Sequence, residues 1–410
     1  MSFIETIFFV YTFISLYMVC LFVLLYVQNR DKLFSYPKGK PEPVSIIMPC
    51  YNEADSIGKA IESLLSLNYP KNMLEIIIVD DKSTDNSAKI IKQYTRKYNN
   101  VRLIINKHNS GGAAEPTNIG VKAAKYPYIA VADADSTPDK DALIKMIGFL
   151  QKDPKVGAVT CSILVKNPSR FMEKLQAIEY ALIGFTRKLL DAIDSVYVTP
   201  GPFALYRKKT LIQVGLFDTK NITQDIEVTW RLLSHGYVSR MCLATEVRTI
   251  TPTTFKKWWK QRIRWNIGGT QTVLKYLPFI FRKGILGNFI IPFFAVSAIL
   301  GITGLGIFTY LGIKRILSYY LSLKYSAIAS TAILSMENIN LHPSVLNFFG
   351  ATLFILGTIF TILCVVLINE QHLLKNNKLT FLFYLTIYLA LYPINLIVAL
   401  FKLATGRYSW

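Results

Sequence analysis

The two ends of this chain are apolar in a way that only a lipid environment accommodates. Phe3 to Val27 carries one charge, Glu5, and at 1.5 Å per residue it is long enough to cross a bilayer core of about 30 Å. A cleaved signal peptide is the alternative, but there is no basic leader and no small-residue cleavage site, and the run is too long for a signal core. Arg30, Asp31, Lys32, Lys38 and Lys40 follow at once, so the positive-inside rule puts that side in the cytosol and the N-terminus outside. Phe289 to Tyr310, Val345 to Ile368 and Thr380 to Leu403 read as further membrane helices. The basic stretch Lys256 to Lys283 and the group Lys375, Asn376, Asn377 and Lys378 fit cytosolic positions between them. Ile316 to Met336 is ambiguous, being partly apolar but carrying Lys324 with several Ser and Tyr residues, so three or four C-terminal helices are expected.

This divides the chain into an N-terminal helix (1–30), a polar middle domain (43–251), a basic amphipathic interfacial segment (252–283) and a C-terminal membrane region (284–410). The formal net charge of +20 would suit nucleic acid, but no nucleic-acid module accompanies it. The Lys and Arg residues spread through the middle and gather beside the apolar segments, where anionic headgroups and an anionic substrate account for them. Cys20, Cys50, Cys161, Cys242 and Cys364 show no metal-ligand spacing and read as unpaired thiols in a reducing compartment.

In the middle domain, short β-branched runs alternate with amphipathic helical stretches. Val44–Met48, Glu75–Val79, Val101–Ile105 and Tyr128–Ala132 read as buried strands, with Ala54 to Leu67 and Ser87 to Tyr98 as helices. That rhythm predicts an α/β, Rossmann-like parallel sheet, whose ligands bind at the carboxyl ends of the strands. Acidic residues stand at three such ends: Glu53 within Pro49–Glu53, Asp80, Asp81 and Asp85 after the second run, and Asp133 and Asp135 after the fourth. One such loop would be an ordinary turn or helix cap. Three on one sheet edge repel one another and call for a cation, and hard oxygen donors suit Mg2+ or Mn2+ bridging to substrate phosphates. No GxGxxG follows the first strand, so a dehydrogenase is excluded.

The ordered set PxYNE, DDxSxD, DAD, an acid at a helix start and QxxRW resembles the family 2 inverting glycosyltransferases of GT-A fold. It is most similar to their membrane-bound processive branch, which includes poly-N-acetylglucosamine, hyaluronan, chitin and cellulose synthases. The resemblance runs from about Val44 to Gly269. It implies a UDP-sugar donor held by Tyr51, Glu53, Asp81, Asp133 and Arg264, and a metal held by Asp135 with Asp133. It also implies an acceptor site shaped by Gly201, Gln261 and Trp265, and a general base at Asp225 within Thr223-Gln224-Asp225. The bland readings are a core aromatic for Tyr51, a helix-dipole cap for Asp225 and a cationic interfacial helix for the segment holding Gln261 to Trp265. Two departures stand out: Ala113 replaces the family's Lys near the helix entry, leaving Lys107, His108 or backbone N–H groups to compensate, and Gln224 replaces a Glu. Asn118 and Gly120 are retained, and Glu227 should point away from Asp225.

The resemblance implies an integral plasma-membrane enzyme with a cytosolic catalytic domain that polymerises a UDP-activated sugar, N-acetylglucosamine or a related hexose, and passes the chain outward. Its partners would be the growing glycan, membrane lipids and an accessory subunit or second copy, with no nucleic acid. Single transfer to a lipid-linked or glycolipid acceptor uses the same residues and remains the alternative. A transporter or sensor would need charged or broken helices in the membrane, and these runs are plainly apolar.

Overall fold

The computed structural model describes residues 3–328, 345–375 and 377–408. α1 (Phe3–Asn29) leads through an extended stretch to β1 (Val44–Cys50), and the chain then alternates as α2 (Ile57–Leu65), β2 (Leu74–Asp80), α3 (Ser87–Lys97), β3 (Val101–Ile105), α4 (Ala114–Ala123) and β4 (Tyr128–Ala132). Along β1 and β2 the side chains alternate between two cores. Ile46, Met48, Ile76 and Ile78 pack with Ile57, Ile61 and Ile91 on one face, while Ile47, Ile77 and Val79 meet Val121 on the other. Burial on both faces is why these strands are continuous apolar runs rather than alternating ones.

The second half follows as β5 (Thr137–Pro138), α5 (Ala142–Lys152), β6 (Val156–Val165), α6 (Phe171–Asp191), β7 (Phe203–Arg207), α7 (Lys208–Gln213), α8 (Gln224–Ser234) and β8 (Val238–Thr249). All eight strands form one sheet in the order β3-β2-β1-β4-β7-β6-β8-β5. The first four are parallel, but β7 runs antiparallel between β4 and β6, and β5 antiparallel to β8. The parallel expectation therefore holds for the four strands read from the sequence and also for β6 beside β8, while β7 and β5 run against it. β7 sends Phe203 and Leu205 to one core and Ala204 and Tyr206 to the other, so it fits beside β4 in either direction, and the return path after α6 decides which. β2 and β4 leave β1 on opposite sides, and the crevice at that switch point is where the loops after β1, β2 and β4 converge.

α9 (Phe255–Tyr276) then runs along the domain ahead of α10 (Ile291–Ile328), α11 (Val345–Leu367), α12 (His372–Lys375), α13 (Lys378–Phe383) and α14 (Leu391–Ala404). Among the described residues, three helical stretches are long and apolar enough to cross a membrane, Glu5–Lys32, Leu286–Ile328 and Phe348–Leu367, with up to a fourth if the pair Lys378–Tyr388 and Leu391–Ala404, bent by 44°, is one span. The single helix expected over 380–403 is thus broken. Pro393 has no N–H for the Leu389 carbonyl and its ring crowds that carbonyl. α10 absorbs the ambiguous segment as far as Ile328, and residues 329–336 of it lie outside the described residues.

α6 joins the two environments. It packs on β6 and β8 and also meets α1, α11 and α13, with Phe185 5.9 Å from Tyr26 and 6.0 Å from Phe360 between ring centroids. Trp258, within the segment read from sequence as interfacial, is fully buried against Tyr388. All five cysteines are free, and only Cys20 is exposed.

Candidate active site

β4 ends at Ala132, so Asp133 and Asp135 emerge at its carboxyl end on either side of the buried Ala134. Asp135 Oδ1 accepts from Ser136 Oγ at 3.0 Å and from Thr249 Oγ1, at the end of β8, at 3.2 Å. Asp225 opens α8 and accepts the Ile226 N–H at 3.0 Å. Burial, then Asp135 and Asp225, push Asp133 above the usual carboxylate range against the pull of Arg264. Asp225 is likewise raised by burial and drawn back by the Ile226 N–H, Arg264 and Arg187, and Asp135 is raised by burial against Ser136, Thr249 and Lys166. Glu53 is raised by burial with Asp135 adding to it, while Ser56 donates to its Oε2 at 2.5 Å. Four acids from two strand ends and one helix start thus share one crevice.

Two glycines set the spacing. A Cβ on Gly201 would lie 2.9 Å from Asp133 Oδ1, so Gly201 makes room for that carboxylate. This contact is within the protein, whereas the resemblance had given Gly201 to the acceptor. A Cβ on Gly268 would lie 2.2 Å from Thr223 Oγ1, so α9 approaches the start of α8 as closely as a backbone permits, one turn beyond Arg264. Beside Asp225, the buried side-chain oxygen of Gln224 has no hydrogen-bond partner, an open acceptor for a ligand hydroxyl.

On the other flank, Tyr51 is 46% exposed, a ring free to cover a flat ligand. Asn52 and Lys82 adopt left-handed backbone at φ 54° and 62°, a conformation that clusters at functional loops. Asp81 is buried and accepts from Asn106 Nδ2 at 2.7 Å, the Ser110 N–H at 2.9 Å and Ser110 Oγ at 2.8 Å. It ties the loop before α4 to the sheet. Near Ala113, His108 pairs with Glu115 at 3.2 Å and Lys107 is exposed. Asn118 clamps Phe217, donating to its carbonyl at 2.8 Å and accepting its N–H at 2.9 Å. A Cβ on Gly120 would lie 2.3 Å from Ile47 Cγ2, so both retained residues seat α4 on the sheet.

α9 carries Gln261, Arg262, Arg264 and Trp265. Arg264 is exposed and lies within electrostatic reach of Asp133 and Asp225. Gln261 Oε1 accepts from Arg262 at 2.6 Å, and the Arg262 guanidinium lies 4.0 Å from the Trp265 ring centroid, so one face of that ring is engaged internally. Glu227 is fully buried and faces α9, accepting from Lys275 at 2.7 Å and Tyr276 at 3.0 Å, away from the crevice. Sequence reasoning missed Arg187, a buried arginine on α6 whose Nε has no partner and which draws on Asp225. Next to Lys188 near the end of α6, it carried no local sequence signal.

Among the described residues no three His, Cys, Asp or Glu side chains cluster tightly enough to hold a metal by themselves. Two adjacent, mutually repelling carboxylates, Asp133 and Asp135, nevertheless match a hard divalent ion whose shell substrate oxygens complete.

Residues 41–268 match the family model described as glycosyltransferase like family 2. The chain is similar to the poly-β-1,6-N-acetyl-D-glucosamine synthase of Staphylococcus aureus, 37% identical over 235 residues that make up 57% of this chain and 56% of that protein. To the Staphylococcus epidermidis synthase of the same name it is 36% identical over 273 residues, 66% of this chain and 65% of that one. The matched part thus spans less than two thirds of either relative. Among solved structures, a mannosyltransferase from Pyrobaculum calidifontis in complex with GDP-Man and Mn2+ superposes with a TM-score of 0.61 at 19% identity, covering 99% of this chain and 100% of that one. The likeness extends the shared fold through the flanking helices. With its family match covering more than half of its length, this protein belongs to the family-2-like glycosyltransferases, and its catalytic unit has the GT-A fold.

Proposed function

We propose that this enzyme polymerises N-acetylglucosamine from its UDP-activated form at the cytosolic face and passes the chain across the membrane. The observation that carries the reading is the crevice in which Asp225, Asp133, Asp135 and Arg264 meet, on a chain similar at 36–37% identity to poly-β-1,6-N-acetylglucosamine synthases. Tyr51, Glu53 and Asp81 would hold the base and ribose. Asp133 and Asp135 would hold Mg2+ or Mn2+, which neutralises the diphosphate as it leaves. Asp225 would take the proton from the acceptor hydroxyl, whose oxygen bonds to the anomeric carbon from the face opposite UDP while the bond to the diphosphate oxygen breaks. Arg264 would offset the charge left on UDP, and Gln261, Trp265 and Gly201 would border the acceptor.

The placement in the membrane rests on the basic residues flanking α1 and α11–α13, which fit a cytosolic face. The test is the full chain in nanodiscs with Mg2+ or Mn2+ and radiolabelled UDP-sugars offered singly and in pairs. A long product sensitive to a hexosaminidase supports the reading. A single labelled lipid replaces polymerisation by one-step transfer, and a product built only from another donor removes N-acetylglucosamine.

A further inference from the structure

Outside the crevice, one buried side chain gathers more polar contacts than the fold needs. Glu179 lies in the middle of α6 and is 4% exposed. Its Oε2 accepts from Arg262 Nη2 at 2.5 Å and from the Tyr388 hydroxyl at 2.6 Å, while its Oε1 accepts from the Tyr392 hydroxyl. Arg262, 1% exposed, also donates through Nε to Tyr392 at 3.2 Å and through Nη1 to Gln261 at 2.6 Å, and its guanidinium is sandwiched among the rings of Trp265, Trp258 and Tyr180. The group joins three separate parts of the chain: α6 under the sheet, α9 beside the crevice and the bent pair α13–α14.

Desolvating a carboxylate and a guanidinium is costly, and apolar residues of the same volume would hold these helices together at least as well. What the ionic network adds is direction. A carboxylate that accepts three hydrogen bonds restricts each donor in distance and direction, where an apolar contact allows sliding. Arg262 is two residues from Arg264 and three from Trp265, so any slip of α9 moves both. The other half of α9 is pinned separately, through Lys275 and Tyr276 on Glu227 and through Gly268 against Thr223.

We propose that Glu179 is a positioning residue for sugar transfer: by collecting Arg262, Tyr388 and Tyr392 it fixes the first half of α9 to the bent membrane pair and so sets where Arg264 stands relative to Asp133 and Asp225. The inference rests on the functional reading given above. It also makes the membrane pair part of the catalytic geometry, because Tyr388 and Tyr392 flank the break between its two helices.

The test compares wild type, Glu179→Gln, Tyr392→Phe and the double variant Glu179→Gln/Arg262→Met in nanodiscs. Turnover is counted per UDP-binding site, so that protein lost to misfolding does not enter. UDP affinity should fall much less than turnover, because of the donor-holding residues only Arg264 is displaced while Tyr51 and Asp81 lie on the far flank. Turnover per site should fall at least tenfold in Glu179→Gln and severalfold in Tyr392→Phe. The double variant, which buries no lone charge, should recover yield and melting temperature but not turnover. Wild-type turnover per site in Glu179→Gln, or its return in the double variant, overturns the proposal. Amide exchange decides independently of activity. Amides of residues 259–266 should exchange at least tenfold faster in Glu179→Gln while those of 270–276 stay unchanged, and equal rates throughout overturn the proposal even if wild type transfers no sugar.

Discussion

Two buried charge clusters lie on either side of α9, and they are built on opposite plans. Around Glu179 every formal charge is answered inside the protein by Arg262 and two tyrosine hydroxyls. Around Asp133, acids outnumber cations: Asp133, Asp135, Asp225 and Glu53 have Arg264, Arg187 and Lys166 as their cationic neighbours. A satisfied cluster can do no more than hold its elements in place. An unsatisfied one stores unfavourable repulsion that, in the proposed reading, a cation and a diphosphate would relieve, so the same residue types would serve structure in one place and binding in the other.

The sharpest way to separate the two plans is to neutralise one acid in each. Asp225→Asn should cut transfer by about 10²–10⁴-fold while leaving UDP binding intact and the ligand-free melting temperature equal or higher. Glu179→Gln strands Arg262 without a counter-charge and should cost about 3–5 kcal/mol of stability. If Asp225→Asn instead destabilises the protein, or loses UDP, the contrast and the base assignment both fail.

Cation binding tests the open cluster alone. A chelator should stop transfer, and Mn2+ at about a hundred times its Kd should stabilise wild type by about 2.7 kcal/mol. Asp135→Asn should lose most of that gain, and Glu179→Gln should keep it. Next in size, Gly268→Ala pushes α9 off Thr223 without touching a charge, and should cost about 1–3 kcal/mol together with a roughly tenfold drop in turnover.

The smallest effect is in pH. Folding raises the carboxyls of Asp133, Asp135 and Asp225, so the folded protein binds protons more tightly there than the unfolded chain does. Their contribution to stability is therefore full at pH below the unfolded carboxyl range and is lost as pH climbs through the raised values. Stability of the ligand-free enzyme should fall on that climb, and saturating Mn2+ should flatten the slope. Turnover should run the other way, falling as acid protonates Asp225. A melting temperature that rises with pH in the absence of cation would contradict the repulsion.

The acidic loops could be read from sequence because each follows a strand whose apolar pattern is local. Asp133 and Asp135 lie in the crevice that the strand-end loops implied, Asp225, supplied by the resemblance, joins them, and Asp81 stands on its flank. Long-range contacts could not be read in the same way. Gly201 borders Asp133 across 68 positions, Asn118 reaches Phe217, and Glu179 finds Tyr388 and Tyr392 more than 200 residues away. Nothing in a local window distinguishes Glu179 or Arg187 from an ordinary charge on an amphipathic helix. The reversal of β7 was hidden for a related reason, since side-chain alternation is the same whichever way a strand runs.

The length of α10 has a consequence of reach. Its 38 residues rise about 57 Å, nearly twice the hydrocarbon thickness of a bilayer. Lys314 and Arg315 fall after the first 23 residues, close to where a helix entering at Ile291 would leave the lipid. On that placement the remaining turns, with Tyr319, Tyr320 and Tyr325 exposed on their surface, would stand clear of the far side as a mast about 20 Å tall.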